Sequence, residues 1–398
     1  MRRNAASEDL KPNIFITRMA LVALPMATCA APVPKTCAAS HAVAMTAAGG
    51  RARQIPKPPP VVRGFVSPWK FSFFRPHYFH LDVRSWGADV LRLQVRPGAY
   101  AEKLRETFWQ AWPSFLDQLV LLIRRAQSAG LKVVLDLHSP PYDTSTASYK
   151  VSGTRAYWRR SGLAHRYCHV WRDIVSKTAP WRSSIYGYDL YNEPHISPQP
   201  PRHGALAPPQ WRPLAIKIIE TIRELDEKTW IIYEVAPYDS PGGFRNLTPL
   251  PDPRVIYSVH VYNPWAFTAQ GLSKNLPRPV YYPGMIQGVM WNKNTMLQTL
   301  KPVIRFQDRY RVPIYVGEFS VIRWAPRKSA VAWLRDATSI FEQYHWSWTC
   351  LNFGEYNGWS LKYGSQYWKP GMPPPRPPRH ETARARVIRA ALAKNWGP

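Results

Sequence analysis

From Val61 to the C-terminus the chain alternates between short runs of β-branched and aromatic residues and longer stretches with helical spacing. The short runs end near Pro68, Val95, His138, Tyr191, Val235, Tyr262, Val316 and Phe353, which predicts eight strands. Between the second and third, Leu104, Phe108, Trp112, Phe115, Leu119, Leu122 and Ile123 recur near helical spacing. They predict a helix over 103–129, with Gly130 as a natural stop. Leu214, Ile218, Ile219 and Ile222 predict another over 211–225. Further helices fit 291–310, 328–344 and 381–394, and Cys168 falls on a helical stretch. The connection 238–253 holds too many Gly and Pro residues for a long helix. Eight strands joined mostly by helical crossovers argue for an α/β fold, a (β/α)8 TIM barrel over 61–398. A doubly wound open sheet is the alternative, but no Gly-rich dinucleotide loop follows the first strand. No internal repeat is visible.

The first 60 residues follow neither pattern. Arg18 precedes the apolar run from Met19 to Leu24 and the small residues up to Ala30. This reads as a signal-like leader over 1–30 and predicts a secreted or periplasmic protein. Glu8 and Asp9 sit unusually ahead of the apolar run, so translation starting at Met19 is one reading of the segment. Cys29 is a candidate lipid-anchor position, although Ala27-Thr28 matches that signal poorly. Residues 31–60 are rich in Ala and Pro and read as an extended linker that buries no core. No other apolar stretch reaches the roughly 18 residues of a membrane span. Pro373 to Arg379 is a second Pro/Arg-rich stretch, expected to be a surface excursion before the last helix.

Composition narrows the picture. Of 398 residues, 45% are hydrophobic, enough for a full core, and 18 Trp and 21 Tyr suit stacking against flat ligands such as sugars as well as aromatic packing. The 53 Lys and Arg against 25 Asp and Glu give a formal charge of +28. Such a charge invites a nucleic-acid reading. The cations are spread in pairs such as Arg124-Arg125, however, with no basic run of five or more and no zinc-finger spacing, so no nucleic-acid partner is expected. Cys168 and Cys350 lie in a helix and a strand with nothing to bring them together, and no CxxC or His/Cys cluster predicts a metal.

The chemistry lies at the strand ends, where barrels of this kind build their sites. Two glutamates follow strand-like runs: Glu193 in Asp189-Leu190-Tyr191-Asn192-Glu193-Pro194 and Glu318 in Val316-Gly317-Glu318-Phe319. Such a pair can divide glycoside hydrolysis between a proton donor and a nucleophile. With Arg92 in Val90-Leu91-Arg92-Leu93, His138 in Asp136-Leu137-His138, and His260 and Tyr262 in Val259-His260-Val261-Tyr262, the set resembles glycoside hydrolase family 5. That family comprises retaining enzymes of clan A and includes many cellulases. The likeness spans nearly all of 63–396.

The resemblance implies Glu193 as general acid/base and Glu318 as nucleophile, on strands that face each other across the barrel. Arg92 then keeps Glu318 ionised and Tyr262 orients it. Asn192 binds the sugar 2-hydroxyl, and His138 and His260 bind hydroxyls or relay hydrogen bonds. The family generally places a Trp near the end of the eighth strand as a floor for the sugar, where this chain reads Cys350-Leu351-Asn352-Phe353. Phe353, Trp359, Trp265 and Trp324 are the platform candidates. The implied activity is a retaining β-glycosidase on a β-linked polysaccharide or oligosaccharide, an endo-β-1,4-glucanase first of all, acting as a monomer without cofactor or metal. A non-catalytic carbohydrate-binding relative and a basic envelope- or nucleic-acid-binding protein are the alternatives.

Overall fold

A computed structural model describes residues 56–67, 79–141, 151–197, 204–354, 358–369, 372–373 and 378–396. The leader at 1–30, with Cys29, and residues 31–55 of the linker lie outside the described residues.

Eight parallel strands close into a barrel. They are β1 (Arg63–Ser67), β2 (Val90–Val95), β3 (Lys132–Leu137), β4 (Ile185–Asp189), β5 (Trp230–Glu234), β6 (Val255–Val261), β9 (Ile314–Phe319) and β10 (Ser347–Cys350). β1 pairs with both β2 and β10, which completes the ring and rules out the open sheet. The two remaining strands, β7 (Gly284–Ile286) and β8 (Val289–Trp291), form an antiparallel hairpin in the β6–β9 connection. Its turn, Gln287-Gly288, takes positive φ at both residues, as a tight hairpin needs.

Strand alternation sorts the side chains into two cores. Leu91, Leu93, Val95, Val133, Leu135, Leu137, Ile231 and Tyr233 face outward onto the helices. Their inward neighbours Val62, Val90, Val134, Tyr186, Ile232, Ile256 and Tyr315 form a separate apolar plug inside the barrel. One step further along the same strands the interior turns polar, with Arg92, Asp136, Asp189, Glu234 and Ser258 all fully buried. The barrel is thus apolar at one end and ionisable at the other, and the ionisable layer lies toward the C-terminal strand ends.

The outer helices follow the predicted apolar stripes with shifted ends. The helix expected over 103–129 is two helices, Pro97–Leu104 and Phe108–Ser128. Arg105 enters the left-handed region and ends the first. Thr107 and Gln110 form a reciprocal capping box that starts the second, using backbone donors a continuous helix would have bonded internally. Helices Trp211–Arg223, Lys293–Tyr310, Arg327–Gln343 and Ala383–Leu392 match the other expectations within a few residues, except that Trp291 belongs to β8 and Asn292 caps the helix after it. The 238–253 connection holds only the short turn Pro241–Phe244. Cys168 lies in helix Leu163–Thr178 and Cys350 ends β10, both as free thiols. No described helix is long and apolar enough to cross a membrane.

Candidate active site

Simple alternation along β9 would send Glu318 out of the barrel. Ile314, Val316 and Phe319 all pack in the outer core while Tyr315 points into the inner plug. The outward set therefore skips from 316 to 319, one residue too far for period two. Pairing with β6 shows why: Ser258 faces Tyr315, yet His260 faces Glu318, so three residues of β9 span two of β6. This bulge rotates Glu318 into the barrel mouth. Gly317 makes the bulge compatible with its neighbour, because a Cβ there would lie 2.9 Å from His260 Nε2 and 3.0 Å from Ser258 Oγ.

Arg92 is the hub beneath the mouth. Its Nη1 donates to Glu318 Oε1 at 2.8 Å and lies 3.2 Å from Asp136 Oδ2. Nη2 donates to Glu234 Oε1 at 2.6 Å and Asn192 Oδ1 at 3.0 Å, and Nε donates to Asp189 Oδ2 at 2.9 Å. The Tyr262 hydroxyl donates to the other oxygen of Glu318 at 2.9 Å. His260 Nδ1 meets Glu193 Oε1 at 2.9 Å, and His138 Nδ1 meets Asp136 Oδ2 at 2.6 Å. Glu193 and Glu318 offer oxygens within 4.8 Å of each other and of His260.

The electrostatics follow from burial. Glu193 is raised to about 7, chiefly by loss of water and despite the pull of His195 and Arg92. His260 is pushed down to about 3 by burial, so the imidazole is neutral at neutral pH. His138 is likewise depressed by burial. Burial also raises Asp136 and Asp189 to about 7, against the attraction of Arg92. Asp239 rises for the same reason, and Glu234 rises through burial and the neighbouring Asp189 and Asp239 carboxylates. One guanidinium cannot balance this many carboxylates, so the layer retains protons. Both oxygens of Glu234 accept N–H bonds, from Arg92 and from the Glu193 backbone. The carboxylates of Asp136, Asp189 and Glu234, close enough together to hold an ion, converge on the Arg92 guanidinium, which fills the cationic role itself.

Of the platform candidates, Trp359 and Trp265 lie beside the site. Both rings pack against Tyr262 with centroids 5.7 Å away, and they meet each other at 6.3 Å. Phe353 and Trp324 do not offer open faces. Phe353 is buried between Phe65 and Trp86 with the Lys362 ammonium 4.1 Å from its ring centre. Trp324 is buried edge-on to Tyr367 and gives its indole N–H to Gln270 O. Trp359 is buried as deeply as Trp324, and of the four rings only Trp265 is partly open.

Asp136, Asp189, Glu234 and Asp239 escaped the motif-based reading. A signal existed, since Asp136 interrupts Val133-Val134-Leu135 and Glu234 follows Ile231-Ile232-Tyr233. A carboxylate in a fully buried strand requires a partner, and the neighbouring strand β2 carries the buried cation Arg92.

Comparison with known proteins agrees with this geometry. The profile of Cellulase (glycosyl hydrolase family 5) matches residues 56–357. The chain belongs to that family. It is a glycoside hydrolase. Among characterised relatives, Endoglucanase C of Acetivibrio thermocellus is 27% identical, the match covering 57% of this chain and 71% of the relative. Cellodextrinase A of Ruminococcus flavefaciens is 21% identical over 68% of this chain and 75% of its own length. The fold is shared with a hyperthermophilic endo-beta-1,4-glucanase solved with substrate, at a TM-score of 0.60 and 21% identity, covering 83% of this chain and 97% of the other. It is also shared with the cellulose synthase subunit Z of Clostridioides difficile, at a TM-score of 0.62 and 18% identity, covering 84% and 100%.

Proposed function

We propose that this family 5 hydrolase is a retaining endo-β-1,4-glucanase in which Glu318 is the nucleophile and Glu193 the general acid/base. The carrying observation is the spacing of the two carboxyls, with oxygens within 4.8 Å. Such close approach of one oxygen from each is compatible with the about 5–5.5 Å between the carboxyl groups of retaining enzymes. Glu318 attacks the anomeric carbon while Glu193 gives its proton to the departing glycosidic oxygen, forming a glycosyl-enzyme ester. Glu193, now a carboxylate, takes a proton from water as that water attacks the same carbon and frees Glu318.

The environments suit these roles. Glu193 at about 7 is protonated in mildly acidic solution and in part at neutral pH, as the acid step requires. Glu318 receives donors from Arg92 and Tyr262 on opposite oxygens, which orients the attacking carboxylate. Asn192, held by Arg92 beside Glu193, is placed for the sugar 2-hydroxyl, and Trp265 and Trp359 supply the aromatic wall. The glucan substrate is carried over from the endoglucanase relatives, and the β-1,4 linkage from the solved endo-beta-1,4-glucanase. The apolar segment after Arg18 supports export to the compartment where such a polymer is met.

The roles separate by azide rescue. Glu193→Ala should lose polysaccharide hydrolysis by roughly 10²–10⁴-fold yet form a retained β-glycosyl azide from an activated aryl cellobioside. Glu318→Gln should be inactive, with no retained azide. Wild-type rates on soluble β-1,4-glucan in both variants would remove the assignment.

A further inference from the structure

We infer that Glu234, at the end of β5, is a positioning residue that aims the Glu193 side chain. The inference rests on the reading of Glu193 as the acid/base and adds a determinant outside the catalytic pair and the residues around it in the proposed mechanism. Glu193 has φ of +47°, in the left-handed region that side-chain-bearing residues rarely adopt. The torsion φ sets where Cβ lies relative to the backbone N–H. Holding that N–H in place therefore fixes the direction in which the side chain leaves the chain.

Glu234 does the holding. Its Oε2 accepts the Glu193 N–H at 2.6 Å, and its Oε1 accepts Arg92 Nη2 at 2.6 Å. Arg92 Nη1 in turn holds Glu318. A single carboxylate thus ties the backbone of one catalytic residue to the cation gripping the other, and it is fully buried. The rest of the turn is braced as well. His195 Nδ1 meets Glu193 O at 2.7 Å, Tyr238 N donates to Pro194 O at 3.3 Å, and His260 Nδ1 meets the Glu193 carboxyl tip. Of these contacts, only the one from Glu234 reaches the N–H whose orientation defines φ.

An amide cannot replace this carboxylate. Gln has one accepting oxygen, which the charged Arg92 claims ahead of a neutral N–H, so Glu234→Gln keeps the volume and the Arg92 contact but loses the Glu193 N–H. Glu234→Asp keeps both carboxyl oxygens but is one methylene too short to span both partners. Loosening Glu193 removes proton donation, which matters most when the leaving group is poor.

The test is kcat/KM across aryl β-cellobiosides running from 2,4-dinitrophenol to unactivated phenol as leaving group. Glu234→Gln is expected to lose at least about tenfold on the phenyl glycoside, a share of the roughly 10²–10⁴ that general acid help supplies. It should stay near wild type on the dinitrophenyl glycoside, so the dependence on leaving-group pKa steepens. A loss of equal factor across the series would overturn the inference, since that is what a structural role gives. Glu193→Ala on the same series separates the two claims. If it does not steepen, the acid/base reading has failed; if it steepens and Glu234→Gln runs parallel to wild type, only the role of Glu234 has. Glu234→Asp is read in the same way should the Gln variant not fold. Failure of both variants to fold would assign Glu234 to holding the barrel together and overturn its positioning role.

Discussion

Glu193 keeps its proton until pH nears 7 because burial disfavours its charged form more than His195 and Arg92 favour it. A general acid must be protonated to act, so kcat/KM should hold up to about pH 7 and then fall toward tenfold per unit as Glu193 ionises. The neutral His260 touching it titrates far lower, near 3, and contributes nothing to that limb. A pH profile on unactivated substrate measures this directly, and a rate still rising at pH 9 would contradict it. Arg92 has a different part. It is buried and bonded to three carboxylates and Asn192, with a fourth carboxylate at 3.2 Å, so it serves the charge balance of the whole polar layer as well as Glu318. Buried cations of this kind are retained because removing one partner leaves the others uncompensated.

At the level of elements, the site depends on an irregular strand. The β9 bulge turns Glu318 inward, and the glycine within it lets His260 and Ser258 pack against bare backbone. Gly317→Ala would place a methyl group 2.9 Å from His260 Nε2, so His260 must shift away from its contact with Glu193. Overpacking of this sort costs about 1–3 kcal/mol. The expected outcome is a folded protein, destabilised by that amount in a denaturant melt, with kcat on soluble glucan down by an order of magnitude or more. Unchanged kcat would mean that the His260–Glu193 contact does no work in turnover. β2, β3 and β5 carry Arg92, Asp136 and Glu234 inward by plain alternation, whereas β4 has a register shift of its own against β3 ahead of Asp189.

Across the whole molecule, the buried ionisable groups make stability depend on pH with a definite sign. Asp136, Asp189 and Glu193 hold protons up to about 7, and Glu234 and Asp239 are raised as well. In the unfolded chain these carboxyls ionise near 4, so their stabilising contribution is present at low pH and is lost as pH rises through about 7. His138, His195 and His260 act in the opposite sense, because burial lowers them and the unfolded chain takes up protons below about 6.5. Above 6.5 the histidine contribution is constant and only the carboxyls remain. Thermal melting should therefore show Tm falling between pH 6.5 and 8.5, and a rising Tm across that interval would refute the charge accounting of the polar layer.

Much of the architecture is legible in the chain. Period-two and period-3.6 patterns placed eight strands and their crossovers, because an element buried on one face must repeat its apolar residues at its own period. They also put Glu193, Arg92, His138, His260 and Tyr262 at strand ends, where a barrel gathers such groups. Closure of the sheet and the β9 bulge were decided by the tertiary structure, since a one-residue shift of register costs little locally and is settled by what the neighbouring strand packs against. The same holds for the aromatic residues. Phe353 and Trp359 look alike in the chain, yet one fills a gap beside Phe65 and Trp86 while the other meets Tyr262. The polar layer around Arg92 draws Asp136, Asp189, Glu234 and Glu318 from four strands, and only the closed barrel brings their charges within reach of one guanidinium.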